Sequence, residues 1–218
     1  MSDDVKAAAK RRYSAPQRSA QAAATRRAVL ASARELFVQR GYGATTVTDI
    51  AAGANVSVDT VYAAVGRKPV VLRELVETAL SGADHAVVAQ QRDYVVAIRA
   101  APTAREKLTI YATAVVKIQQ RLAPVFIALR DAAVDDPACA ALWAEISERR
   151  ARNMREFAAD LRETGELRDD LSDDEVADIV WSTNAAEYWV LLVHQRTWTP
   201  ERFGEWLADT WIRSLLKQ

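Results

Sequence analysis

The 218-residue chain has one cysteine, Cys139. No internal disulfide can staple it, and it fits a reducing, cytoplasmic compartment. Its two histidines, His85 and His194, stand far apart, and no His/Cys spacing suits zinc. Seven glycines and six prolines are few against abundant Ala, Leu, Arg and Glu, a balance that favours helix over sheet and predicts an all-α fold. No apolar run approaches the roughly 20 residues that cross a bilayer. The charged start, with Asp3, Asp4, Lys6, Lys10, Arg11 and Arg12, has no hydrophobic segment behind it, so no secretory signal is expected. There is no nucleophile elbow, no G-x-x-x-x-G-K-S/T and no G-x-G-x-x-G. The expectation is a chain that is not an enzyme and takes no cofactor and no metal. The acidic cluster Asp169, Asp170, Asp173, Asp174 and Glu175 reads as a solvated turn and helix start. Arg149, Arg150, Arg152 and Arg155 interleave with Glu145, Glu148 and Glu156 at helical pair spacing and read as a solvated face.

What is present is a division of charge. Twenty-nine basic and twenty-nine acidic side chains cancel overall. Residues 1–68 nevertheless carry eleven Lys/Arg against five Asp/Glu, a net of +6, and residues 69–218 carry eighteen against twenty-four, a net of −6. A basic end on an acidic body suits contact with a polyanion at one end only, and the body would orient the approach. A merely solubilising basic tail is the alternative.

Residues 1–24, rich in Ala, Ser and Arg and containing Pro16, read as a flexible basic arm; Lys10, Arg11, Arg12 and Arg18, with Arg26 and Arg27 opening the first helix, could follow a nucleic-acid backbone or enter a minor groove. A helix is expected from Thr25, with Val29, Leu30, Ala33, Leu36 and Phe37 at helical spacing and Gly41 and Gly43 ending it. Thr46 can cap the next helix, with Asp49 reaching back toward the cap. Asn55 tolerates the left-handed stop, Ser57 can cap a further helix closed by Gly66, and Lys68-Pro69 starts another. Longer helices are expected from Pro69 to about Arg99, bent near Ser81-Gly82, from Thr103 to about Leu122, and from Pro124 to about Val134. Three more run from Asp136-Pro137 to Gly165, from Ser172 to about Arg196, and from Thr199-Pro200 to the end. The domain division this implies is an arm over 1–24, a helix-turn-helix over 25–68, and a helical effector-binding and dimerisation domain over 69–218.

Residues 46–65 have the layout of a helix-turn-helix. Ala51 is small where helices cross, Val56 is expected as a buried plug, and Val61 anchors the second helix. Thr48, Val58, Asp59 and Ala63 are left facing outward, where a second helix offers side chains to base edges. Ser57, Thr60, Tyr62 and Lys68 are donors suited to phosphates, and Thr46 completes the candidate DNA-facing set. Short helix pairs also occur in structural bundles, so a helical adaptor that uses this segment only for packing is the alternative. In the larger domain, residues 173–196 are apolar on most of the circumference, and the last helix carries Phe203, Trp206, Leu207, Trp211, Leu215 and Leu216. A helix hydrophobic nearly all round is buried on two sides, either within one protomer or against a symmetry mate. Tyr111, Trp143, Trp181, Asn184 and Tyr188 offer aromatic faces and a polar group for a small-molecule pocket.

The stretch 25–75 resembles the DNA-binding domain of the TetR/AcrR family. The resemblance rests on Leu36-Phe37, Gly41-Tyr42, Thr45-Thr46-Val47, Ile50-Ala51, Ala54-Asn55-Val56-Ser57, Thr60-Val61-Tyr62, Lys68 and Leu72. It implies an all-α homodimer joined through its last two helices, a palindromic double-stranded DNA operator, and a repressor released when a small-molecule effector binds the larger domain. Three departures stand out. Asn55 replaces the usual turn glycine, Ala64-Val65 replaces a common His-Phe, and Ala63 restricts readout to apolar contact such as a thymine methyl.

Overall fold

The sequence between Gln17 and Arg40 contains neither glycine nor proline, and Ala20, Ala22, Ala23 and Ala24 favour helix. In the computed structural model, which describes residues 2–83 and 85–218 with side chains from Gln17 onward, α1 spans Ser2–Arg40. The helix therefore begins before Thr25, which corrects the arm expected over 1–24 as far as residues 17–24 are concerned. The part of that arm carrying Lys10, Arg11 and Arg12 lies outside the described side chains. Gly41, at φ 80°, ends α1.

Two compact units follow from the chain's contacts, Met1–Leu75 and Val76–Gln218. The boundary thus falls inside α4 (Lys68–Ser81), later than the division at Lys68 suggested by sequence. The first unit packs α1, α2 (Val47–Gly53), α3 (Val58–Ala64) and the first half of α4 around Val29, Ala33, Phe37, Ile50, Val61, Val71 and Leu72. Gly53 marks the tightest approach: a Cβ there would collide with Ser32 Oγ, which donates to Ile50 O at 2.9 Å.

The second unit is built from α5 (Asp93–Ala100), α6 (Ala104–Ala132), α7 (Pro137–Arg162), α8 (Asp173–Thr183), α9 (Ala186–Trp189) and α10 (Pro200–Leu215). Among the described residues the only β pairing is an isolated bridge between Leu167 and Leu216. The expected helix starts are present and each is capped: Thr103, Asp136, Ser172 and Thr199 accept from a backbone N–H in the first turn of their helix. Three boundaries differ. The helix expected to reach Arg99 stops at Ser81, where Gly82 turns to φ 70°, and a short 3₁₀ turn precedes α5. Pro124 does not open a helix but lies inside α6, between Leu122 and Ala123 on one side and Val125 and Phe126 on the other, all buried. Burial on this scale outweighs the missing hydrogen bond of an interior proline.

The third difference is at Asn184. The helix expected to run to Arg196 breaks there, passes through α9, and ends in a π-helical turn over Val190–Gln195. The break leaves the Asn184 carbonyl to accept from Gln119 Nε2 at 2.6 Å. Phe203, Leu207, Trp211 and Leu215, the stripe on the last helix, are fully buried within the protomer. Tyr188 and Leu191 stay exposed, at 38% and 49%.

Lys107 is 5% exposed and is neutralised inside this unit. Its amine donates to Ile98 O at 3.0 Å and to both carboxylate oxygens of Asp160 at 3.0 and 2.9 Å. Removing one partner of a buried ion pair typically destabilises by about 3–5 kcal/mol, whereas an apolar replacement of both is near neutral. Asp160→Ala is expected to lower urea-unfolding stability by about 3 kcal/mol, and the double variant Lys107→Met, Asp160→Leu is expected to recover most of it.

Candidate nucleic-acid interface and ligand cavity

The helix-turn-helix is defined by local hydrogen bonds. Thr46 Oγ1 accepts from Asp49 N at 3.1 Å, and Asp49 Oδ2 accepts from Thr46 N at 2.8 Å. Thr46 Oγ1 also donates to Asp49 Oδ2 at 2.6 Å, and this bond first, then the one from Thr46 N, holds the Asp49 carboxyl below the usual carboxylate range. Asn55 takes the left-handed conformation at φ 54° and reverses the chain. Ser57 Oγ accepts from Thr60 N at 3.1 Å and caps α3. Val61 is fully buried and fixes α3 against the core.

The sequence-predicted DNA-facing residues fall into two groups. Thr46, Thr48, Ser57, Asp59, Tyr62 and Ala63 are exposed, Tyr62 at 48%. Val58 and Thr60 are half-buried, so Val58 does not face fully outward. Val56, expected as a plug, is also only half-buried; Ala51 and Val61 fill that role. Lys68 has a structural task that sequence reasoning missed. Its amine donates to Tyr42 O at 2.7 Å and Thr45 O at 2.8 Å and lies 4.0 Å from the centre of the Tyr42 ring. Those two carbonyls belong to the turn between α1 and α2, so Lys68 holds the start of α4 to the entrance of the helix-turn-helix. The spacing of a lysine just after a glycine stop was visible; its carbonyl partners, more than twenty residues earlier, were not.

The larger unit contains a cavity of about 690 Å³, within the range usual for small-molecule sites. Of the expected pocket residues, Tyr111 and Asn184 are on its wall. They are joined there by a hydrogen bond from Asn184 Nδ2 to Tyr111 Oη at 3.0 Å. Tyr111 also stacks on Trp211 with ring centroids 5.4 Å apart, and burial pushes its phenol pKa upward. Trp143, Trp181 and Tyr188 do not line the cavity: Trp143 packs on Phe126 at 4.5 Å, Trp181 lies beside Arg150, and Tyr188 is exposed near Trp206. The arginine run expected on a solvated face is split. Arg152 and Arg155 are exposed, Arg152 at the rim of the cavity, whereas Arg149 pairs with Glu77 at 2.7 Å and Arg150 turns inward, and both of these line it. Among the described residues no cluster of three or more His, Cys, Asp or Glu could hold a metal, and no helix is long and apolar enough to cross a membrane.

Residues 29–66 match the family model described as bacterial regulatory proteins, tetR family. No curated protein matches the chain. Among solved structures, it is similar to a putative transcriptional regulator from Saccharomonospora viridis in complex with choline, with a TM-score of 0.65 and 19% identity over 88% of this chain and 98% of that one. The fatty acid degradation regulator FadR from Bacillus halodurans gives a TM-score of 0.71 and 17% identity over 87% and 95%. The SmeT–triclosan complex gives 0.63 and 19% over 89% and 93%. At these identities the likeness is one of fold.

Two stability measurements test the geometry. Lys68→Met strips a charged donor from two backbone carbonyls and is expected to lower stability by about 1–3 kcal/mol in urea unfolding. Asp49 has its folded-state pKa lowered, so its contribution is present above the unfolded carboxylate range and lost as pH falls through the folded value. Asp49→Asn is therefore expected to be less stable than the parent near neutrality and to converge with it under strongly acidic conditions, as read by thermal unfolding across pH.

Proposed function

From a chain that carries a tetR-family DNA-binding domain on the fold of transcriptional regulators, we propose a ligand-responsive repressor that acts as a homodimer on a palindromic operator and leaves it when a small molecule occupies the larger unit. The observation that carries this reading is the presentation of α3. Its apolar residue Val61 is sealed, its N-terminus is capped, and Asp59, Tyr62 and Ala63 stand in solvent.

In this reading α3 enters the major groove with its N-terminal side toward the bases, and Thr48, Val58, Asp59 and Ala63 provide sequence preference. Thr46, Ser57, Thr60 and Tyr62 contact the sugar-phosphate backbone, with the hydroxyls of Thr46 and Ser57 doubling as helix caps. Lys68 supports the set by holding the turn between α1 and α2. The excess of positive charge in residues 1–68 and of negative charge in the remainder favours approach through this end. The exposed Tyr188, whose ring lies 5.9 Å from that of the half-buried Trp206 on α10, and the exposed Leu191 support a dimer contact on the last helices. Two copies of α3 must then lie about 34 Å apart to meet one face of the duplex.

The cavity is the effector site. Related folds hold chemically unlike molecules, choline in one case and triclosan in another, so the fold does not dictate the ligand and the lining does.

Binding to DNA from the protein's own upstream region, measured by fluorescence anisotropy, is expected to weaken steeply with salt, each phosphate contact adding about −0.9 to the log–log slope. Tyr62→Phe should weaken every sequence alike, whereas Asp59→Ala or Thr48→Ala should change which sequence is preferred. A monomer that binds no such fragment at low ionic strength overturns the reading.

A further inference from the structure

The cavity in the larger unit has a chemical signature that its apolar walls do not explain. Arg92 and Arg150 both stand on the wall, and the partners of both are neutral. Arg92 donates to Val87 O and to Tyr94 Oη. Arg150 donates to Trp181 O at 3.2 Å and to Asn184 Oδ1, and its guanidinium lies 5.4 Å from the Trp181 ring and 5.8 Å from the Phe126 ring. Among the described residues no carboxylate stands within ion-pair distance of either. Of the other charges of the wall, Arg149 is matched by Glu77, Asp160 by Lys107 and Arg152 by Glu148, while Arg99 and Glu156 stand at exposed positions open to water. Burial pushes the Arg150 guanidinium down from its ordinary range, yet arginine remains cationic in proteins. A half-buried cation whose hydrogen-bond acceptors are all neutral is an incomplete ion pair.

A second, independent feature lies on the same wall. Gln119 is 4% exposed. Its Nε2 donates to Asn184 O at 2.6 Å, which sets the orientation of the amide. Its Oε1 is a buried acceptor with no hydrogen-bond partner, an uncommon state for a buried polar atom. Arg150 and Gln119 both hydrogen-bond Asn184, so the unmatched cation and the unmatched acceptor are close neighbours. Asn184 is thus the hinge of the arrangement: its side chain meets the cation and its carbonyl fixes the amide.

Resting on the reading of this cavity as the effector site, we propose that its ligand is an amphiphilic carboxylic acid bearing a hydroxyl beside the acid group. The carboxylate pairs with Arg150, with Arg92 adding positive potential, and the hydroxyl donates to Gln119 Oε1. The apolar body lies against Ile98, Val115, Leu122 and Phe157. A neutral amphiphile leaves the guanidinium unmatched, and a cationic one adds like charge to it.

Calorimetric titration of the full chain without DNA tests this with four probes of equal chain length: 2-hydroxydecanoate, decanoate, decanol and decyltrimethylammonium. The expected order of affinity is that order, with decanoate about tenfold tighter than decanol. Arg150→Gln is expected to abolish the preference for decanoate over decanol, Arg150→Lys to restore part of it, and Gln119→Leu to abolish the advantage of 2-hydroxydecanoate over decanoate. If Arg150→Gln does not fold by circular dichroism, the order of the four probes on the parent protein decides alone. Equal or tighter binding of decanol or the cation overturns the proposal, as does a folded Arg150→Gln with the preference intact. DNA release is read separately by anisotropy. A carboxylate that binds the chain without loosening DNA supports this ligand class and overturns the effector reading instead.

Discussion

A helix of seven residues cannot hold itself together in water, because nucleation is unfavourable and isolated helices are marginal below roughly 12–15 residues. α2 and α3 are both of that length, so everything they present to solvent depends on what restrains them. The restraints are specific. Thr46 and Ser57 satisfy the first free N–H groups of the two helices, Asn55 reverses the chain in a conformation most residues avoid, and Val61 and Ile50 lock the pair onto α1. Lys68 closes the circuit by fastening the start of α4 to the Tyr42 and Thr45 carbonyls. The exposed side of α3 is a consequence of this frame, since the same residues on a frayed helix would face nowhere in particular.

This dependence explains what could be read in advance. Helix caps are local chemistry: a hydroxyl or carboxylate and an amide two or three positions away. The caps Thr46, Ser57, Thr103 and Ser172 were therefore legible in sequence, as were the helix starts at Asp136 and Thr199 and the turn at Asn55. The failures share the opposite property. Pro124 passes through the middle of α6 because the residues on either side of it are buried against other helices, and nothing in its own neighbourhood says so. The break at Asn184 answers to Gln119, 65 positions away. Gln17–Ala24 joined α1 although they lack an apolar stripe, because alanine needs no burial to favour helix.

The cavity was half legible for a related reason. Aromatic content was an uneven guide: Tyr111 is buried and reaches the wall, whereas Trp143 packs on Phe126 away from it and Tyr188 is exposed. Charge misled more. The alternation of Arg and Glu in α7 has the spacing of surface pairs, and for Arg152 and Arg155 that is what it makes. Arg150, however, occupies the apolar stripe that runs through Ile146, Met154 and Phe157, all buried. A charged residue at a core-facing helical position was a signal present in the sequence. The pairing pattern around it concealed it.

The one helix common to both compact units gives the proposed regulation its physical limit. α4 places Val71 and Leu72 in the core of the first unit and Val76 in that of the second, all fully buried. Its first residue fastens the turn before α2, and its later residues Glu77 and Leu80 line the cavity. A continuous helix of this length, about 20 Å at the usual rise, does not absorb a displacement at one end without moving or bending at the other. A ligand therefore influences DNA only to the degree that it prefers one placement of α4 over another, since equal affinity for two states shifts no equilibrium. The same coupling runs backward: DNA that favours one placement must weaken a ligand that favours the other by an equal factor.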